Sequence, residues 1–390
     1  MASNERQIAR EEKKRRSQRR VRIAIWFIIL AVALGLIGMK VAEIDFSQLS
    51  QRFHGSGSAA ITADAYPYNL DSSKNVHMTA QNDKLTVLTG VSVTVLNPTD
   101  ASVNYAYNHG YANPIMKNAG NYICVFDQGA NRLRLDTLSG DVYESKTENA
   151  ILTADVNKSG DVIYATQSDE NKSSVTVMDS KLKKVAELEV NSGYVVSVAI
   201  DASGKHFTYA VINSRDAVLT TTVYTCNVGD DAEKASFDFT DCDLLEMRYC
   251  QSDVYLVFSN GVYTVTSQKK LHPCEAFSEG SVNTVCHTFT ASGELIYIYS
   301  EYSSSNENHL AHINTSGKVK TSIELTKLPK SVASSSNEIT VLFNDSVAVY
   351  SLTRGEEKGT YKCEDSVSTA MKLSTKIFVC RHQLIDVIEG

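Results

Sequence analysis

An all-β ring of eight four-stranded repeats, an eight-bladed β-propeller, is the fold class this sequence predicts, and three observations predict it. Tyr (19) and Phe (12) are plentiful beside Val, Thr and Ser, against 5 Pro and a single Trp, a composition that suits many short strands joined by polar turns. A motif of small or polar turn residues running into a short apolar or aromatic stretch recurs eight times, at the spacing of a propeller blade. A strand of alternating apolar and polar residues follows each copy, as expected where one face is half exposed.

The elements follow in chain order. Residues 1–22 hold nine Lys or Arg against three Glu, a balance of +6. The segment 23–41 contains "IAIWFIILAVALGLIGM", 17 residues without a charge from Ile23 to Met39, which Val21 and Val41 extend. This sits at the short end of what spans a hydrocarbon core of roughly 30 Å. The cations before it predict a cytoplasmic N-terminus and an exported remainder. A buried core helix is rarely this apolar on every face, and "KVAEIDF" offers no good small-residue cleavage site. The segment therefore reads as a signal anchor, a single transmembrane helix, with the basic run as its topology signal. Residues 42–57 form a juxtamembrane linker, and "GSGS" at Gly55 to Ser58 reads as a flexible joint. Fully extended, its roughly 16 residues reach under about 60 Å, which keeps the exported domain close to the membrane.

The propeller is expected over 58–390. Its repeated motif is "QNDKLTVLTG" at 81, "AGNYICVFDQ" at 119, "SGDVIYATQS" at 159, "SGKHFTYAVI" at 203, "QSDVYLVFSN" at 251, "SGELIYIYSE" at 292, "SNEITVLFND" at 336 and "STKIFVCRHQ" at 374. Aligned on Leu85, Tyr122, Val162, His206, Val254, Leu295, Ile339 and Ile377, the steps run from 37 to 48 residues. Segments such as "NVHMTAQ", "ILTADVN" and "LLEMRYC" before each turn supply an innermost strand. "VSVTVLNP", "SSVTVMDS" and "DSVAVYSL" exemplify the third, and polar stretches such as "KKVAELEV" the outermost. The eighth repeat ends at "QLIDVI" without a fourth strand, and an unpaired edge invites aggregation that ring closure removes. The spare strand "SAAITADAY", Ser58 to Tyr66, is expected to close it. Seven blades, with one motif spurious, is the alternative.

Charge and motifs narrow the function. Residues 41–390 carry 28 basic and 42 acidic side chains, net −14, which argues against nucleic-acid binding and favours a basic partner. Asp155, Asn157, Ser159 and Asp161 in "DVNKSGD" place oxygens as a calcium loop does, but no closing bidentate carboxylate follows, and the repeat explains the stretch as a hairpin turn. His309 and His312 lie three apart on a strand and so point to opposite faces. His206, His272, His287 and His382 each sit without a sequence-local ligand partner. Tyr107, His109 and Tyr111 in "YNHGYANP" make the most aromatic and polar inter-blade loop, the candidate binding loop. Of eight cysteines, Cys124 and Cys380 read as small core residues, and Cys250 with Cys274 is a possible bridge of unfixed connectivity. No nucleophile elbow, P-loop, dinucleotide fingerprint or CxxC is present, so no catalytic residue and no cofactor is assigned.

A basic N-terminal stub, one span and a ring of "SGxhhxhh" repeats make the chain similar to a family of uncharacterised single-pass envelope proteins of Gram-positive, Clostridia-type bacteria. Residues 58–390 resemble WD40-like and quinoprotein-like propellers in pattern, without a WD dipeptide. The resemblance implies a fold and a cell-membrane location with an extracellular domain, and no functional residue. The function expected is a non-enzymatic protein-binding or scaffolding module of the cell envelope. The alternative is a glycan-binding or hydrolytic propeller with its site in the central funnel.

Overall fold

A computed structural model describes residues 66–389, apart from 169–172, 192, 216–217, 231–234, 275–276, 278–281 and 302–306. The expected basic segment, anchor and linker lie outside the described residues. No helix among the described residues is long and apolar enough to cross a membrane.

The chain opens with the two-residue strand β1 (Tyr68–Asn69) and then lays down blade after blade. Blade 1 is β2 (His77–Gln81), β3 (Lys84–Leu88), β4 (Ser92–Leu96) and β5 (Val103–Asn108); blade 2 is β6 (Pro114–Ala119), β7 (Tyr122–Asp127), β8 (Arg132–Thr137) and β9 (Val142–Lys146). Blade 3 is β10 (Ile151–Val156), β11 (Val162–Thr166), β12 (Ser173–Met178) and β13 (Lys184–Val190); blade 4 is β14 (Tyr194–Ile200), β15 (His206–Arg215), β16 (Val218–Asn227) and β17 (Ala235–Thr240). Blade 5 is β18 (Leu244–Cys250), β19 (Asp253–Phe258), β20 (Gly261–Val265) and β21 (Leu271–Pro273); blade 6 is β22 (Val282–Phe289), β23 (Leu295–Glu301), β24 (Asn308–Ile313) and β25 (Val319–Leu325). Blade 7 is β26 (Ser331–Ser335), β27 (Glu338–Leu342), β28 (Ser346–Ser351) and β29 (Glu357–Lys362). Blade 8 takes β30 (Val367–Leu373), β31 (Lys376–Arg381) and β32 (Leu384–Glu389), and borrows β1 as its fourth strand.

The eight repeats read from the sequence are thus eight blades, and all eight aligned positions fall in second strands. The closing strand differs from the expected one. Ser58 to Ala65 lie outside the described residues, and the pairing is made just downstream, Tyr68 with Ile385 and Asn69 with Leu384. Tyr66 packs its ring edge-on against Phe378 at 5.2 Å.

Eight hydrophobic clusters among the described residues explain why the second strands read as continuous apolar runs. Each cluster lies between two neighbouring blades, and together they go round the ring. In β7, Ile123 and Val125 pack towards blade 1 with Leu88 and Val95, while Cys124 and Phe126 pack towards blade 3 with Ile151 and Val162. Alternation puts successive side chains on opposite faces, and here both faces are covered. The last cluster joins Met78 and Leu85 of blade 1 to Met371 and Phe378 of blade 8, which closes the circle. Outer strands such as β5 and β9 alternate exposed and half-buried positions, so they read as polar.

Antiparallel pairing fixes two faces. Every innermost strand runs from what we term the upper face to the lower, so first-to-second turns lie on the lower face and second-to-third turns on the upper. β1 runs antiparallel to β32 and therefore joins the ring from the lower face.

Candidate functional site

The lower face is a ring of tight turns around the central channel. Each of the eight inner turns contains a residue with positive φ: Asp83, Gly120, Gly160, Gly204, Gln251, Gly293, Ser336 and Ser374. The turns also bond to one another. Gln81 Nε2 donates to the Gly120 and Tyr122 carbonyls at 2.7 and 2.9 Å, Cys250 Sγ donates to Ser292 O at 3.7 Å, and the Ser335 hydroxyl donates to Lys372 O.

The calcium-like stretch belongs to this ring. Asn157 Oδ1 accepts the Ser159 and Asp161 amides, both at 2.9 Å, and its Nδ2 donates to Asp161 Oδ2 at 3.0 Å and to Asp201 O of blade 4 at 2.8 Å. Ser159 Oγ donates to Ala202 O at 3.1 Å. A side chain that folds back on its own turn amides stabilises the turn itself. Asp155 is separated from these three: it sits on β10 and lines the channel, with Oδ2 accepting the Ile200 amide at 3.3 Å. Among the described residues no group of three or more His, Cys, Asp or Glu is arranged to hold a metal ion.

Polar side chains of five innermost strands meet in the channel. Lys117 (β6), Arg248 (β18) and His287 (β22) each lie two residues above the strand's lower end, Asp155 one, and Glu246 (β18) and His77 (β2) four. His287 Nε2 and Glu246 Oε2 are 2.9 Å apart. Burial would raise the Glu246 carboxyl, but the hydrogen bond to His287 and the nearby charges of Lys117, His287 and Arg248 outweigh it and hold the group at about 2. Burial holds Asp155 above the usual carboxylate range, partly opposed by Lys117 and Arg248. His77 has surface open to water, yet desolvation by the surrounding protein and then Lys117 lower its pKa. The lower mouth is crossed by Lys158 of blade 3, whose Nζ donates to Ala291 O of blade 6 at 3.0 Å.

Composition alone missed this constellation, although the signal was present: "ANPIMKN", "LLEMRYC" and "VNTVCHT" each carry a charged residue or histidine within an innermost strand. Two of the isolated histidines have carboxylate partners. His287 finds Glu246 in the neighbouring blade, and His206 Nδ1 lies 3.2 Å from Asp201 Oδ2, five residues earlier across the hairpin turn.

The aromatic loop candidates come together as packing. His109 is buried, with Nε2 donating to Thr89 O and Nδ1 accepting the Tyr111 amide, both at 3.0 Å. Burial lowers its pKa, and those bonds fix one neutral tautomer. Arg132 lies over the Tyr111 ring at 4.7 Å and Arg134 over the Tyr107 ring at 3.6 Å. His309 stacks on Tyr299, whereas His312 bonds Glu294 and Leu352 O. All eight cysteines are free thiols; Cys250 and Cys274, the bridge considered from sequence, donate instead to the Ser292 and Gly317 carbonyls.

The upper face is different. β15 and β16, ten residues each, are the longest strands and stay paired to Arg215 and Val218, past the first residue of β14. Around this hairpin lie Tyr194 (54 % exposed), Val196, Val218, Leu219 (57 %) and, at the start of β18, Leu245 (48 %). Exposed Asp241 and Asp243 flank Leu245 on the acidic side of the patch. Val103, Val142, Val185 and Val319, by contrast, are scattered one to a blade at the lower ends of outer strands.

A family profile described as "Family of unknown function (DUF5711)" matches residues 67–389. No curated protein matches the chain. Among solved structures the chain is similar to Sqt1 from Saccharomyces cerevisiae, at 8% identity and TM-score 0.55, covering 83% of this chain and 98% of that one. It is also similar to apo AztD from Citrobacter koseri, at 10% and 0.50, covering 80% and 88%. BamB from Moraxella catarrhalis follows at 10% and 0.49, covering 83% and 98%. At such identities the likeness bears on the fold alone.

Proposed function

The chain belongs to this family of unknown function, DUF5711, and from that premise we propose that it is a membrane-anchored, extracytoplasmic propeller that binds a protein partner of the cell envelope without itself catalysing a reaction. The uncharged segment 23–41 and the cations before it support the anchor and its orientation, as in the Gram-positive envelope proteins the sequence is similar to. The observation that carries the binding role is the set of exposed apolar side chains at the upper ends of blades 4 and 5, Val218 and Leu219 on the blade 4 hairpin, Tyr194 and Val196 on β14 and Leu245 on β18. Clustered exposed apolar side chains mark interaction surfaces, whereas scattered ones do not. The acidic neighbours Asp241 and Asp243 suit a partner with a basic rim.

Site-specific photocrosslinking in intact membranes tests this. A crosslinker at position 219 is expected to capture one discrete protein, and one at exposed Lys183 on the lower rim none; Leu219→Ser is expected to abolish capture by a crosslinker placed at position 245, with stability changed by less than about 0.5 kcal/mol. No adduct above background from 219, or the same adducts from 183, would sink the reading. A second reading, a glycan-binding or hydrolytic channel, is favoured by the convergence of Glu246, Asp155 and His287. It requires that Glu246→Gln abolish glycan retention or cleavage while leaving the crosslinks unchanged.

A further inference from the structure

The channel's acids and its cations are satisfied unequally. Glu246 is bonded to His287 and Asp155 to the Ile200 amide. Lys117 and Arg248 make no hydrogen bond or ion pair among the described residues, although both lie close enough to Asp155 and Glu246 to interact with them electrostatically. The Arg248 guanidinium lies over the Phe289 ring, 5.3 Å from its centroid. An ammonium has three N–H donors and a guanidinium five, and donors held inside a protein-walled channel gain more from a direct anionic acceptor than donors in bulk water. The two cations come from blades 2 and 5, at the same height above the lower face, so they approach the channel from different sides.

We propose that the central channel binds an oxyanionic group, a carboxylate or a phosphate, between Lys117 and Arg248. A planar guanidinium presents the paired donors that either oxyanion accepts in bidentate fashion, and Lys117 supplies the point charge opposite. Of the two acids near both cations, Glu246 is engaged by His287 at 2.9 Å, and burial holds Asp155 above the usual carboxylate range. Lys158 crosses the lower mouth, so the ligand enters from the upper face. This site lies away from the blade 4 patch and does not depend on protein docking there; Leu219→Ser is expected to leave it intact.

The full chain in detergent, titrated calorimetrically with inorganic phosphate and separately with succinate, provides the test. At least one anion is expected to bind. Phosphate alone would assign a phosphate ester, and succinate alone a carboxylate. Lys117→Met and Arg248→Met should each weaken binding by about ten- to a hundred-fold, and Lys183→Met should leave it unchanged. Binding of neither anion at millimolar concentration, or affinity that survives in the Lys117→Met/Arg248→Met double variant, overturns the proposal. A measurement on the unsubstituted chain keeps the test decisive if a variant fails to fold. The bound anion should protect Lys117, and not Lys183, from acetylation read by mass spectrometry; equal modification with and without anion overturns it.

Discussion

The two faces of the ring differ in what they show to water. On the lower face the connections are tight turns with a left-handed residue in each, bonded from blade to blade. On the upper face the blade 4 hairpin stays paired past the first residue of β14 and shows Val218 and Leu219 to water. In the lower turns Gln81, Asn157, Cys250 and Ser335 each donate to a carbonyl of the next blade. The upper hairpin contributes its lower half to the core between blades 3 and 4 through Phe207 and Tyr209, while its upper end carries exposed Val218 and Leu219. The upper connections join blades too, Gly129 N donating to Ile151 O and Thr284 N to Ser259 O, both at 2.9 Å, so what sets that face apart is its exposed apolar side chains.

The division can be broken most severely at Gly160. Its φ is +86°, and a Cβ there would lie 2.5 Å from Cε1 of Tyr122 in blade 2 and 2.9 Å from Ser180. Gly160→Ala is expected to destabilise the fold by about 2–4 kcal/mol, read as a lower urea midpoint. An unchanged midpoint would mean that the turns do not press on each other as described.

The channel gives an intermediate effect with a definite sign. Glu246 is held at about 2, below its ordinary value, so its ionised form is stabilised by folding. That contribution is complete above the ordinary carboxylate range and is lost as pH falls towards about 2. Glu246→Gln should therefore flatten the acid side of the stability curve between about 4.5 and 2, and leave the slope near neutrality unchanged. A wild-type slope in that window would place the titrating group elsewhere.

The smallest effect sharpens the comparison. Ser336 adopts φ 49° in a turn where other blades use Gly. Ser336→Gly should raise stability by about 0.5 kcal/mol, the left-handed strain relieved less the added backbone entropy. A loss would show that the Ser side chain holds the turn by contacts of its own.

Those same turns show what the sequence made legible. "SG" before an apolar run marked blades 3, 4 and 6, because Gly needs no help at positive φ. Blades 1, 5, 7 and 8 place Asp83, Gln251, Ser336 and Ser374 there, and only the spacing of their strands identified them. Cys124 and Cys380 were legible as core because alternation buries both faces of a second strand. The channel cluster was harder to read, since it is assembled from Lys117, Asp155, Arg248 and His287 on four strands whose relative height depends on register. The closing strand was placed a few residues early because "SAAITADAY" matches a strand pattern better than Tyr68–Asn69, a pair too short to show any period. The blade 4 patch was concealed because Val218 and Leu219 look like core until the hairpin is seen to outrun β14.

That short closing strand also has a mechanical meaning. Whatever tension reaches the ring through the N-terminal segment arrives at Tyr66, on the lower face, and passes directly into the pairing of Tyr68 and Asn69 with β32. The pull runs along the strand, so both residue pairs are loaded in shear and resist together, with the Tyr66–Phe378 contact as a stop. Blade 1 shares that load through the Tyr66 hydroxyl, which donates to Asn97 O at 3.2 Å. Pulled from its N-terminal end, the ring would yield first at its own clasp, leaving seven complete sheets standing and the β32 edge bare.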